Sequence, residues 1–230
     1  MRQIIAMGGG GFSMEPDNLL LDKYILDQSR SKKPTICFLP TASGDSDSYI
    51  QRFYTSFEKL PCTPTHLSLF KLPTRDLEGF LLKQDIIYVG GGNTKNLLAL
   101  WKEWNLHTIL KKALQQGVIL AGLSAGSICW FEEGLTDSYG DLDRLACLGF
   151  LKGSNCPHFD GEINRKPTYE KMIQNRELKS GYGVSDGAAI HFIDEKYFQT
   201  VSSRPNAKAY FYSIHEDQLI KNLLDTKYLG

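Results

Sequence analysis

The stretch Val118-Ile119-Leu120-Ala121-Gly122-Leu123-Ser124-Ala125-Gly126 runs from an unbroken apolar segment into a glycine turn built around one serine. Val118 to Ala121 has no polar alternation, so it reads as a strand buried on both faces. Strands of that kind belong to parallel sheets covered by helices. The G-x-S-x-G that follows predicts a sharp strand-to-helix turn, with a helix continuing from Ala125 to Phe131.

The same grammar recurs on either side. Ile4 to Met7 is apolar throughout and breaks at Gly8-Gly9-Gly10-Gly11, Thr35 to Leu39 stops at Pro40, and Ile86 to Val89 runs into Gly90-Gly91-Gly92. Between these strands apolar residues return at helical spacing. One such face is Leu20, Leu21, Tyr24 and Ile25 behind Pro16, and another is Tyr49, Ile50, Phe53, Tyr54 and Phe57. A third is Leu97, Leu98, Trp101 and Trp104 behind the N-cap Asn93, and a fourth is Ile109, Leu110, Ala113 and Leu114. Thr65 to Phe70 reads as a strand and Asp76 to Leu82 as a short helix. Toward the C-terminus the pattern changes. Ala188 to Ile193, Tyr197 to Val201 and Lys208 to Ile214 predict antiparallel strands, and Leu219, Ile220, Leu223 and Leu224 predict a final helix. The expected fold is α/β: a three-layer sandwich with a mostly parallel sheet, helices on both faces, and antiparallel strands near the C-terminus. It is expected to form one domain over residues 1–230.

Composition narrows the partners. The 230 residues are 42% hydrophobic, enough for a packed core, and 26 basic side chains balance 26 acidic ones. Zero net charge removes the simplest case for nucleic acid or an anionic membrane as partner. The five cysteines (Cys37, Cys62, Cys129, Cys147 and Cys156) form no C-x-x-C pair, so neither a metal site nor a redox dithiol is expected. Reduced thiols, a short N-terminal apolar run and no membrane-length segment predict a soluble, cytoplasmic protein.

The chemistry centres on Ser124. A serine lifted clear of the backbone by flanking glycines is placed to act as a nucleophile, and the amides of the turn can hold an oxyanion. Such a serine needs a base. His66 and His107 fall in a strand and a helical face, and His191 alternates with Ile190 and Phe192. His158 lies in the loop-like Asn155-Cys156-Pro157-His158-Phe159-Asp160-Gly161, and His215, beside Glu216 and Asp217, is its rival. Asp186, in Val184-Ser185-Asp186-Gly187, suits the orienting carboxylate, with Asp137, Asp141 and Asp143 as alternatives. The two glycine clusters fit nucleotide motifs poorly. Gly8 to Gly11 lacks the third glycine of the dinucleotide fingerprint, and Gly90 to Lys95 lacks the phosphate-loop spacing. No cofactor is expected. Capped by Asn93, the second cluster could instead supply the other half of an oxyanion hole.

Four motifs in this order resemble the peptidase E and cyanophycinase family of serine peptidases: Tyr88-Val89-Gly90-Gly91-Gly92-Asn93-Thr94, Gly122-Leu123-Ser124-Ala125-Gly126-Ser127, Pro157-His158-Phe159, and Val184-Ser185-Asp186-Gly187. The resemblance implies a class I glutamine amidotransferase-like fold with serine in place of cysteine. It implies Ser124 as nucleophile, His158 as base, and Gly92 and Ala125, with Gly91 adjoining, as the oxyanion hole. Asp186 falls where peptidase E has a glutamate, and Asp137 is the reserve. Peptidase E selects N-terminal aspartate with an arginine beyond the histidine. Here Thr168 falls at that position, which leaves Arg165 or Lys166 as the candidate substrate-binding cation. The expected function is hydrolysis of small peptides, with N-terminal aspartate as one possible selectivity. The alternatives are an esterase using Ser124, Asp186 and His215, or a catalytically silent module that binds a small ligand.

Overall fold

A computed structural model describes residues 1–230. The first half alternates as expected: β1 (Gln3–Met7), α1 (Gly11–Met14), α2 (Leu20–Asp27), β2 (Thr35–Leu39), α3 (Asp47–Phe57), β3 (Thr63–His66), α4 (Leu77–Leu81), β4 (Ile86–Val89), α5 (Thr94–Glu103), α6 (Leu106–Gln115) and β5 (Ile119–Leu123). The second half is mostly strand: α7 (Ala125–Ile128), β6 (Phe131–Thr136), β7 (Asp143–Ala146), β8 (Leu151–Cys156), α8 (Arg165–Gln174), β9 (Gly181–Val184), β10 (Ala188–Ile193), β11 (Lys196–Ser202), β12 (Ala209–His215), β13 (Gln218–Leu223) and β14 (Thr226–Tyr228).

Two sheets result. The larger has the order β14-β11-β10-β1-β5-β4-β2-β3, parallel from β1 through β3 and extended by the antiparallel β10 and β11. The smaller has the order β13-β12-β9-β8-β6-β7, with parallel pairing only at β6–β8 and β8–β9. Side chains alternate across each strand of the larger sheet. Ile5, Met7, Ile36, Phe38, Ile86, Tyr88 and Ala121 face α2 and α3 in one core cluster. Ile4, Ala6, Cys37, Leu39, Ile87, Val89 and Leu120 face the other way, against α5, α6 and residues of the smaller sheet such as Phe131, Leu151 and Val184. A third cluster, with Phe159, Tyr169, Ile173 and Tyr212, seats α8 on the smaller sheet.

The α/β fold with helices on both faces and antiparallel strands late in the chain matches the expectation, with three corrections. The predicted C-terminal helix is the strand β13. Glu216 and Asp217 both take positive φ (47° and 62°), the twist a two-residue hairpin needs, and they return the chain beside β12. The helix predicted over Ala125 to Phe131 stops at Ile128, because Phe131 enters β6 and pairs with β8. The strand predicted at Thr65 to Phe70 is β3, ending at His66, and the amides of Leu69 and Phe70 are taken by the Asp45 carboxylate.

All five cysteines are free thiols, and four are buried. His66 accepts or donates at the Tyr54 hydroxyl, and His191, fully buried, bridges Tyr24 and Gln3. No helix is long and apolar enough to cross a membrane.

Two buried groups titrate abnormally, in opposite directions. Burial lowers the His191 pKa from 6.5 to about 4. The unfolded chain therefore binds this proton first, and stability falls as pH drops from 6.5 toward 4. Burial raises the Asp22 carboxyl from 3.8 to about 7. Here the folded chain holds the extra proton, so stability falls as pH rises from about 4 to 7. The two slopes offset one another in the same window. Relative to the wild type, Asp22→Asn should lose stability as pH falls from 6.5 to 4, and His191→Gln should gain it. Thermal melts across that range should show divergences on the order of 5 °C.

Candidate active site

The site is assembled where β1 ends. The Ser124 amide donates to the Met7 carbonyl (3.4 Å), and the His158 amide donates to the Gly8 carbonyl (3.2 Å). The Gly187 amide donates to the Gly9 carbonyl (3.0 Å), and Gly9 forms a parallel bridge with Asp186. Three consecutive carbonyls thus anchor the segments carrying Ser124, His158 and Asp186.

Ser124 has φ 54° and ψ −115°, a backbone geometry L-residues rarely adopt. The glycines around it are sterically required. A Cβ on Gly122 would lie 2.5 Å from the Gly126 carbonyl oxygen, and one on Gly126 would lie 2.2 Å from that of Val89. The turn is therefore pressed backbone to backbone against β4. The amides of Ser127 and Ile128 return to the Ser124 carbonyl (both 2.9 Å), which starts α7 directly behind the serine.

His158 also has positive φ (51°). Its Nδ1 lies 2.7 Å from Asp186 Oδ1, both side chains being mostly buried, so Nε2 is left for other work. Ser124 and His158 make no direct hydrogen bond in this structure; the end of β1 is what they share. The Asp186 carboxylate sits between two glycines. A Cβ on Gly9 would stand 2.0 Å from Oδ1, and one on Gly161 would stand 2.4 Å from Oδ2. The Asp186 amide donates to Asp160 (3.1 Å), and Arg204 packs on Gly187, with its Nε 2.8 Å from Glu15.

Opposite the serine, Gly91 lies against the Ser124 side chain, since a Cβ there would stand 3.3 Å from that of the serine. The Gly91 amide donates to the Tyr49 hydroxyl (3.2 Å). The amides of Gly92 and Ala125 have no acceptor in the protein. The first turn of α5 is already satisfied. Asn93 accepts from Asn96, and Ser138 Oγ accepts from Thr94 and Lys95, so the free donor of this cluster is Gly92 rather than the helix end.

The other predicted residues lie elsewhere. Arg165 is buried, and its guanidinium is bound to Glu162 (2.6 Å), Asp137 (3.5 Å) and the Leu135 carbonyl (3.4 Å). Lys166 is exposed, on the side of α8 that neighbours Lys221 of β13. A cleft of about 520 Å³ is lined by Asp137, Asp141, Glu162 and Thr168 among others. His215 is 76% exposed at the β12–β13 turn, and its charged neighbour is Glu216 (3.9 Å). Asp143 is exposed at the start of β7. Sequence reading missed the roles of Gly9, Gly161 and Tyr49. The glycine run carried a signal, but it reads as easily as a turn.

The fold is shared with solved peptidase structures. It resembles the crystal structure of a peptidase from an acI-B1 Actinobacterium (TM-score 0.74, 17% identity, 96% of this chain and 94% of that one). It also resembles a putative peptidase E protein from Listeria monocytogenes EGD-e (TM-score 0.61, 19% identity, 98% and 100%). The family profile of peptidase family S51 matches residues 4–200. The chain belongs to that family of serine peptidases. It is 62% identical over 230 residues to the uncharacterized peptidase YgaJ of Bacillus subtilis (strain 168), covering all of both chains. It is 23% identical over 172 residues to the uncharacterized peptidase Lmo0363 of Listeria monocytogenes, covering 71% of this chain and 84% of that one.

The glycine contacts give a direct test of the turn. Gly126→Ala forces a methyl against the Val89 carbonyl, and overpacking of this kind costs about 1–3 kcal/mol. A Tm lower by roughly 3–10 °C is expected by calorimetry.

Proposed function

We propose that the protein hydrolyses small peptides through an acyl-enzyme formed on Ser124, with His158 as general base and Asp186 as its orienting carboxylate. The observation that carries the reading is the 2.7 Å contact between His158 Nδ1 and Asp186 Oδ1, on a scaffold whose adjacent carbonyls also hold Ser124. The Asp186 carboxylate accepts a hydrogen bond from His158 Nδ1–H, which leaves Nε2 unprotonated to take the serine proton. Ser124 Oγ then attacks the amide carbonyl. The developing oxyanion is met by the free Gly92 and Ala125 amides, while Gly91, its amide already given to Tyr49, shapes the wall beside the serine. His158 returns the proton to the leaving amine. Water, activated by the same imidazole, then releases the acyl group.

In this mechanism the orienting acid is Asp186 rather than Asp137, since Asp137 pairs with Arg165 and Asp186 with the histidine. The base is His158 rather than the exposed His215. The esterase alternative would need His215, which is exposed at the β12–β13 turn with Glu216 as its charged neighbour. Selectivity for N-terminal aspartate is not expected of this site. The guanidinium of Arg165 is engaged within the protein, and the neighbouring cleft presents carboxylates, which repel an acidic side chain. A dipeptide library should show no preference for N-terminal aspartate over neutral residues; a strong one would reverse this point.

A fluorophosphonate probe should label the wild type and leave Ser124→Ala unlabelled. His158→Ala should slow labelling by at least about 100-fold, and His215→Ala should leave it unchanged. Gly9→Ala tests the orienting carboxylate without touching a reacting group. Its methyl occupies the place of Asp186 Oδ1, so labelling should slow about tenfold or more. Normal labelling in Gly9→Ala would mean that the His158–Asp186 contact is dispensable.

A further inference from the structure

Ser124 and His158 are carried by different layers, the serine on the β5–α7 turn of the larger sheet and the histidine beyond β8 of the smaller one. One side-chain hydrogen bond joins those carriers directly. Asn155 Nδ2 lies 2.7 Å from Ser127 Oγ, and both residues are fully buried. Ser127 is one turn beyond the serine, with its amide on the Ser124 carbonyl at 2.9 Å. Asn155 stands three residues before His158, in the middle of the smaller sheet, paired with Gly134 of β6 and Tyr182 of β9. We infer that the Ser127–Asn155 bond is a brace that sets the separation of Ser124 from His158, so that both are positioning residues for the reaction. This inference rests on the proposed roles of Ser124 and His158.

The chemistry of the pair argues for this role over plain packing. Asn155 Oδ1 is buried and has no donor. Turning the amide over would exchange donor for acceptor at Ser127 and leave the other atom bare. Either way one bond is made and one polar atom goes unsatisfied, which is costly in a core. An apolar pair of the same shape would avoid the cost, but would fix neither the direction nor the length of the contact. The neighbourhood also keeps the two layers close. A Cβ on Gly134 would lie 2.6 Å from both the Asn155 carbonyl oxygen and Ile128 of α7. At such a junction a displacement of about 1 Å between nucleophile and base costs on the order of 100-fold in rate.

The test is a mutant cycle read by fluorophosphonate labelling at 25 °C: Ser127→Ala, Asn155→Leu and the double variant, each checked by thermal melt. If Asn155→Leu does not fold, Asn155→Ser takes its place. The maximal labelling rate constant should fall 10- to 100-fold in each single variant, with the half-saturating probe concentration within twofold of wild type. The double variant should be no slower than the slower single one, because one bond is lost in all three. Leu114→Ala, a destabilising change in the α6 core, should lower the Tm and leave the rate constant intact. Single variants that label within twofold of wild type, or effects that multiply in the double, would overturn the brace while leaving the nucleophile assignment standing. Unlabelled wild-type protein would overturn the nucleophile assignment and the brace together.

Discussion

Everything in the candidate site hangs from the exit of β1. A parallel strand ends with carbonyls that point sideways and need donors, and here Met7, Gly8 and Gly9 find theirs in Ser124, His158 and Gly187. Each donor belongs to a different stretch of chain. The first comes from a neighbouring strand of the same sheet, the second from the smaller sheet, and the third from the turn into β10. Ordinary backbone satisfaction therefore gathers residues about 30 to 60 positions apart. Side chains beyond Gly8 and Gly9 would block it, since a Cβ on Gly8 would lie 2.3 Å from the carbonyls of Val184 and Ser185.

That constraint explains which parts were legible in sequence. The strand-turn-helix at Ser124 could be read because its signals are local: an apolar strand, two glycines and small residues in fixed spacing. The parallel core could be read for the same reason, through period and punctuation. The smaller sheet could not. β6 follows a four-residue helix without a turn residue to announce it, and β8 mixes Lys152, Gly153, Ser154 and Asn155 with apolar positions. Its partners are fixed by distant strands, not by local preference. β13 reads as a helix in the sequence because Leu219, Ile220, Leu223 and Leu224 also satisfy helical spacing. The residues that decide between the two, Glu216 and Asp217, are not the Asn-Gly or Asp-Gly usual at such hairpins.

The glycine run Gly8 to Gly11 shows a second limit. In sequence a glycine cluster after a strand suggests backbone amides turned toward an anion. In the structure Gly8 and Gly9 serve by lacking side chains, whereas Gly10 and Gly11 take positive φ (100° and 56°). The same residue type records two demands, an unusual φ and an absent Cβ, and only the three-dimensional neighbour separates them. Gly9 is the second kind, as is Gly161, and both make room for one carboxylate. His158 was legible as a loop histidine next to proline, but its φ of 51° was not, since nothing in Pro157-His158-Phe159 requires it.

Strain and unsatisfied polarity gather around the same point. Ser124 and His158 both hold backbone conformations that cost about 1–3 kcal/mol each, and they persist because flanking hydrogen bonds determine them. Four buried side-chain polar atoms lack a partner, and two of them border this region. Asp22 Oδ1 lies under Gly11 beside the Met7 side chain and the Tyr88 hydroxyl, and Asn155 Oδ1 belongs to the strand that leads into His158. A chain selected for stability alone would fill such places with hydrocarbon, which packs without leaving a bare atom. Hydrocarbon contacts, however, tolerate sliding, and the roles proposed for Ser124 and His158, carried on separate sheets, do not. The proposed Ser127–Asn155 brace fits that division of the candidate site between two layers: it fixes one geometry at some expense of stability.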